Sequence, residues 1–254
     1  MFKIGDLVTR KKYNNDVVFR IEKIDGNNVY LVGIDIRLCA DAEIDDLVYS
    51  SDRSEEDEDN LSFDFDNDFF YIPGVVLHID ADINYLKKCV NYYKKYKIKC
   101  YGYLFDEDKM PLNVNKLLFK YNPDIVVITG HDFYHKDDNS YLNSNYFIEC
   151  ARNIRDSFGS NIIIIAGACQ SDFKGLLEAG ATFASSPGHS NIHALDPAII
   201  ACSVALCPLN RNINLKSVIS KTKYGFEGIG GVSCNGVMKY GFPRKGILNW
   251  ILIR

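Results

Sequence analysis

The amino-acid sequence predicts an α/β protein: a mostly parallel sheet flanked by helices, preceded by a small all-β unit. Two observations carry that reading. The runs Asp124-Ile-Val-Val-Ile-Thr-Gly-His131 and Asn161-Ile-Ile-Ile-Ile-Ala-Gly-Ala-Cys169 are short, β-branched and almost wholly apolar, the pattern of strands buried on both faces. From residue 71 onward such runs alternate with segments of helical periodicity, which implies right-handed crossovers and a parallel sheet.

Each element follows in order. Residues 1–49 contain strand-like runs at 7–8, 17–24 and 29–34, the last two joined by Asp25-Gly26-Asn27-Asn28, residues that tolerate the positive φ of a hairpin turn. They predict a small SH3-like β-barrel. Residues 50–70 are dense in Asp, Glu and Ser. Like charges at that density repel and offer little apolar surface, so the segment reads as an acidic linker. Residues 71–254 form the α/β domain. Strands are expected at 74–79, 98–105, 124–129, 162–166 and 181–185. Helices are expected at 83–96, 113–121, 147–158, 172–179 and 192–206, the second ended by Asn122-Pro123 and the third by Gly159. The glycine-rich end reads as hairpins packed on the sheet.

Composition narrows the function classes. Hydrophobic residues make up 47% and charged residues 24%, as in ordinary globular proteins. No apolar run approaches the roughly 18 residues of a membrane span, and the start carries no secretory pattern, so a cytoplasmic protein is expected. The net charge of −4 gives no general attraction to nucleic acid. Eight cysteines occur without a CxxC pair; all except Cys169 are expected to be reduced core residues.

Cys169 and His131 carry the chemistry. In open α/β sheets the ligand crevice lies beyond the carboxyl ends of the strands, where both residues would emerge. Cys169 precedes a helix predicted from Asp172, whose N-terminal dipole would lower the thiol pKa. A thiolate needs a base in reach and amide donors for the developing oxyanion. His131 is the candidate base, and the backbone at Gly130, Asp132 and Ala168 supplies candidate donors. Asp80 and Asp82 end the first strand of the domain, where a strand-to-helix capping role is expected.

These residues resemble those of the caspase/clostripain superfamily of cysteine peptidases, in which one hydrophobic strand ends in His-Gly and a later one in Ala-Cys. Here Ala168-Cys169 matches, whereas Gly130 precedes the histidine rather than following it. Residues 181–188 are similar to the caspase strand that lines the substrate cleft. A fuller match is to the YabG family of sporulation-specific peptidases, through Ile4-Gly5-Asp6, Arg37-Leu38-Cys39-Ala40-Asp41-Ala42, Ile128-Thr-Gly-His-Asp132, Ala166-Gly-Ala-Cys-Gln-Ser171 and His193-Ala-Leu-Asp-Pro197. The resemblance implies a caspase-like fold and a cysteine endopeptidase with Cys169 as nucleophile and His131 as base. It implies no cofactor. Its protein substrates would be spore coat or cortex-associated precursors, processed in the mother cell. Cleavage after a basic residue is implied as well. An acidic pocket residue such as Asp172 or Asp196 would serve that specificity. By position alone Ser185 and Ser186 would line the cleft, and Arg53-Ser54, a lone basic site in the accessible acidic strip, is expected to be cut by the enzyme itself.

Other readings stay open on the sequence alone. His131/His135 and His189/His193 have i, i+4 spacing, which on helices suits a metal-dependent hydrolase, with Asp132 or Asp196 as a further ligand. Cys169 followed by His189 or His193 has the order of a glutamine amidotransferase. A non-catalytic binding protein of the spore surface is the alternative outside enzymology.

Overall fold

The computed structural model describes residues 2–51, 61 and 65–244. Most of the acidic linker, including Arg53-Ser54, lies outside the described residues.

Strands β1 (Leu7–Arg10), β2 (Phe19–Asp25), β3 (Asn28–Gly33), β4 (Cys39–Glu43) and β5 (Leu47–Tyr49) form an antiparallel sheet in the order β4-β3-β2-β1-β5. The β2–β3 hairpin turns at the expected residues, with Gly26 at φ +62°. Val8, Phe19, Ile21, Val29, Leu31, Ala42 and Leu47 enclose a small core of their own. No pairing joins β4 to β5 among the described residues, so the expected closed barrel is an open sheet. The turn between β3 and β4 spends its backbone groups on the rest of the molecule: Arg37 N–H donates to Ile192 O at 3.0 Å and Asp35 O accepts from Ala194 N at 2.7 Å.

The larger part contains β6 (Phe70–Ile72), β7 (Val76–Asp80), α1 (Ile83–Lys95), β8 (Cys100–Leu104), α2 (Met110–Tyr121), β9 (Ile125–Thr129) and the hairpin β10 (Tyr134–His135) and β11 (Ser140–Tyr141). There follow α3 (Ser144–Phe158), β12 (Ile163–Ala166), α4 (Phe173–Glu178), β13 (Phe183–Ser185), α5 (Asp196–Ala205), α6 (Leu215–Ile219), α7 (Gly225–Gly228), β14 (Ile229–Gly231) and β15 (Lys239–Gly241). The main sheet has the order β14-β13-β12-β9-β7-β8, parallel except for β14. β15 pairs with β6.

Side chains alternate across β7, β9 and β12 and so feed two cores. Val76, Ile125, Val127, Ile163 and Ile165 pack under α1 and α5, and Leu77, Ile79, Val126, Ile128 and Ile164 under α2, α3 and α4. α1 starts where Asp82 accepts from the amides of Asn84 at 2.6 Å and Tyr85 at 3.2 Å, the N-cap arrangement that satisfies the first turn. α5 begins at Asp196 rather than at 192, because His193 pairs with Ile36 in an antiparallel bridge and residues 194–195 turn into the helix. Among the described residues no helix is long and apolar enough to cross a membrane.

Candidate active site

β9 and β12 are hydrogen-bonded neighbours, with Ala166 beside Ile128, so the segments following them leave the same edge of the sheet side by side. Gly167 has φ +109°, and a Cβ there would lie 2.9 Å from Leu176 Cδ1 and 3.1 Å from Ser185 Cβ. Only glycine fits that turn. The chain then bends through Ala168 and Cys169 to Gln170 at φ +57°.

Asp132 ties the two segments together. Its carboxylate accepts from the amides of Phe133 at 2.9 Å and Asn143 at 2.8 Å, from Ser171 Oγ at 2.8 Å, and from Ser144 Oγ. Ser171 Oγ in turn accepts Ala168 N–H at 2.9 Å. The Ala168 amide, expected as an oxyanion donor, is therefore committed within its own loop. Gly130 and Asp132 donate no backbone hydrogen bond among the described residues. Burial pushes the Asp132 carboxyl above its usual range against the four donors, which marks a structural hub whose neutral form is favoured by desolvation.

Cys169 is fully buried. Its Sγ receives Ile192 N–H at 3.2 Å and lies 3.8 Å from Ile192 O. Burial pushes the thiol up to about 12, against the Ile192 amide and the Arg37 charge, which favour the thiolate. The expected lowering by a helix dipole is not seen: α4 has six residues and begins three residues past the N–H groups of the thiol turn, too short and too far to offset desolvation.

His131 stands across the edge. Its backbone N–H donates to Glu107 Oε1 at 2.8 Å, and its Nδ1 lies 3.5 Å from the same oxygen. Its Nε2 lies 3.7 Å from Asp82 Oδ2 and has no hydrogen-bond partner although the atom is buried. Burial opposes a charge on the ring, but Cys39 and Glu107 facing it raise the pKa to about 10. No hydrogen bond joins His131 to Cys169 among the described residues; the thiol that faces the ring is Cys39. That cysteine is exposed, not in the core as its apolar surroundings in sequence suggest.

The turn carrying Cys39 also braces the site. Arg37, fully buried, forks onto Asp80 with Nη2–Oδ2 at 2.8 Å and Nη1–Oδ1 at 3.1 Å, and donates to Ala194 O at 3.2 Å. Tyr85 Oη donates to Gly33 O at 2.6 Å and Ile36 O at 2.9 Å. Asp80 at the end of β7 also accepts from Thr129 Oγ1 at 2.9 Å at the end of β9. Sequence reading missed Glu107, Arg37 and Cys39 as site residues, because none stands in a periodic or catalytic-looking pattern.

The remaining candidates are distributed along the same edge. Ser185 is buried beside Gly167 with its hydroxyl unpartnered, while Ser186, at φ +67°, donates its hydroxyl to Ser190 O at 2.6 Å. Asp172 caps α4 through Gly175 N–H at 2.9 Å. Asp196 is fully buried and accepts from the amides of His193 at 3.0 Å and Lys223 at 2.8 Å, so both expected pocket acids already serve the backbone. His135 lies on β10 and His189 in a turn, its ring stacked 4.0 Å from that of Tyr134. Neither histidine pair is presented from one helix. Among the described residues no group of three or more His, Cys, Asp or Glu side chains is arranged to hold a metal ion.

The fold and site define an α/β protein whose reactive side chains gather at the carboxyl edge of a parallel sheet. The profile of the YabG peptidase U57 family matches residues 3–64 and 53–243. The chain is 38% identical over 286 aligned positions, covering 96% of this chain and 99% of the relative, to the sporulation-specific protease YabG of Bacillus subtilis (strain 168). The chain belongs to the YabG peptidase family, and as a peptidase it acts on protein substrates.

Proposed function

We propose that this chain is a sporulation-specific cysteine endopeptidase in which Cys169 attacks the scissile carbonyl and His131 protonates the leaving amine. One observation supports this above the others: β9 and β12 are adjacent, and each delivers one reactive residue to the same edge, within segments cross-linked by Asp132 and Ser171. The raised pKa of His131 favours the protonated ring, the form an acid needs at the leaving group. Burial keeps the Cys169 thiol protonated, and the Ile192 amide and the Arg37 charge offset that only in part, so in this reading the thiolate forms when substrate enters and the proton is taken up as the nucleophile is activated.

Free amides at Gly130 and Asp132 are the oxyanion donors in this reading, and Ser185 with Ser186 lines the cleft. The main sheet is caspase-like in this reading, and the open antiparallel sheet of residues 1–49 is part of the same enzyme. Cleavage follows a basic residue, the substrates are spore coat or cortex-associated precursors in the mother cell, and Arg53-Ser54 is cut in self-processing. The relative's name supports the sporulation-specific protease part of this assignment, and the residues at the sheet edge support the cysteine mechanism.

The test is cleavage of spore coat extract by purified full-length protein, read by mass spectrometry of the product termini. Cys169→Ala and His131→Ala are expected each to abolish cleavage while circular dichroism stays unchanged, with Arg or Lys before each cut made by the parent enzyme. Full activity in either variant refutes the assignment.

A further inference from the structure

We infer that Glu107 is the positioning residue of His131, fixing the ring through Nδ1 so that Nε2 is the nitrogen that transfers the proton. This rests on the cysteine-peptidase reading above and adds a third member to the site.

Glu107 opens the single 3-10 turn between β8 and α2, and its side chain reaches across the end of β7 to the end of β9. One oxygen, Oε1, meets both the backbone and the ring of His131, at 2.8 Å and 3.5 Å. A carboxylate that holds the main chain and faces Nδ1 limits both the position and the rotation of the imidazole, the role of the third group in nucleophile–base sites.

Gly130 is independent support. A Cβ at that position would lie 2.7 Å from Glu107 Oε1, 3.1 Å from its Cγ and 3.2 Å from Ala81 Cβ. The glycine before the histidine, which departs from the His-Gly order of caspase-like strands, is thus the residue that admits the carboxylate. The other ring nitrogen completes the argument, since Nε2 is buried and unpartnered. A buried polar atom left without a partner is costly, and Nε2 is the ring nitrogen that Glu107 leaves free for proton exchange.

Three further groups face the ring. Asp82 Oδ2 is 3.7 Å from Nε2, beyond hydrogen-bond reach, and the other oxygen of that carboxylate caps α1. It contributes charge but no orientation. Cys39 on β4 raises the ring pKa as Glu107 does, and the Tyr85 ring centroid is 6.1 Å away. For Glu107 itself burial pushes the carboxyl up, but the contacts from His131 outweigh it and hold the carboxyl below its ordinary range.

The experiment is NMR titration of the full-length protein labelled with 13C and 15N histidine, with the His131 signal assigned by its absence in His131→Asn. Glu107→Gln is expected to lower the His131 pKa by about one unit or more and to reduce kcat roughly tenfold or more with KM within about twofold. Gly130→Ala, which displaces the carboxylate without removing it, is expected to shift the same signal in the same direction. Asp82→Asn is expected to lower the pKa while leaving kcat within about threefold, as a charge that does not orient the ring. An unshifted His131 signal in Glu107→Gln, or a loss carried wholly by KM, overturns the inference. Because the titration does not depend on turnover, an active Cys169→Ala protein alongside a shifted His131 signal would refute the peptidase mechanism and leave the role of Glu107 standing.

Discussion

Replacing Arg37 with methionine removes the single guanidinium that balances Asp80 in the interior. Both side chains are wholly buried, and Asp80 would keep only Thr129 Oγ1 at 2.9 Å and the Asp82 amide at 3.0 Å, with His78 Nε2 at 3.4 Å. Breaking a buried pair from one side costs about 3–5 kcal/mol, because the remaining charge is stranded. For a chain of this size each kcal/mol moves Tm by about 2–4 °C, so a fall of roughly 6–20 °C is expected at pH 7. The pH dependence should invert. In the parent protein burial pushes Asp80 up, but Arg37 and the hydrogen bonds hold its carboxyl well below 3.8. The stability it contributes is therefore present above that value and lost as pH falls through the folded pKa. Without Arg37, desolvation outweighs the hydrogen bonds that remain and the folded pKa is expected to rise above 3.8. The variant then loses stability as pH increases through that raised value, and its deficit narrows near pH 4. Calorimetric melts of Arg37→Met, Asp80→Asn and the double variant at pH 4, 5.5 and 7 test this. The double variant should recover more than half of the loss at pH 7. A double variant no more stable than Arg37→Met, or a single-variant deficit that does not shrink toward pH 4, would refute the reasoning.

Two other outcomes follow from the same geometry. Asp132→Ala removes the acceptor of four hydrogen bonds, three within the segment after β9 and one, from Ser171, that ties it to the segment after β12; a loss of about 3 kcal/mol or more is expected from stranded donors, read as a fall in Tm together with a drop in kcat, and unchanged turnover would show that the cross-link does not hold the site. Iodoacetamide should modify exposed Cys39 faster than buried Cys169 at pH 7. With a thiol pushed up to about 12, the Cys169 rate should climb roughly tenfold per pH unit between 7 and 9 as thiolate forms, and a plateau below pH 8 by peptide mass spectrometry would contradict that state of the thiol.

The parts legible in sequence are those fixed by local pattern. Ile125–Thr129 and Ile163–Ala166 are buried along their whole length, so their continuous apolar runs identify them without knowledge of their neighbours. α1 is equally plain, with Asp82 as a cap and Tyr85, Leu86, Cys89, Tyr92 and Tyr93 on one buried stripe. Where polar groups pair across the chain, pattern fails. Residues 192–195 look like the first turn of a helix, yet Ile192 O and Ala194 N–H bond to Arg37 N–H and Asp35 O, a pairing that no periodicity encodes. Pro197 was the available signal, since proline favours the first turn of a helix and here marks a start at Asp196. Cys39 sits among apolar residues but on an edge strand, where alternate side chains face out. Glu107 reads as an ordinary acidic residue in a turn, and only the missing Cβ at Gly130 hints that something must approach there.

The placement of Cys169 also changes the meaning of the N-terminal sheet. The sulfur is held by Ile192, Ile192 O is held by the Arg37 amide, and the Arg37 side chain is held by Asp80 at the end of β7. Two residues farther along, at the start of β4, the Cys39 thiol raises the pKa of the His131 ring. Each contact joins segments far apart in sequence, and a buried ion pair cannot open at one partner without stranding the other. The Ile192 backbone that contacts the sulfur is held from the N-terminal side. The turn between β3 and β4 is thus tied both to the segment that holds the thiol and to the end of β7, so Arg37→Met is expected to lower turnover as well as Tm, and unchanged kcat in that variant would show that the tie does not bear on the site.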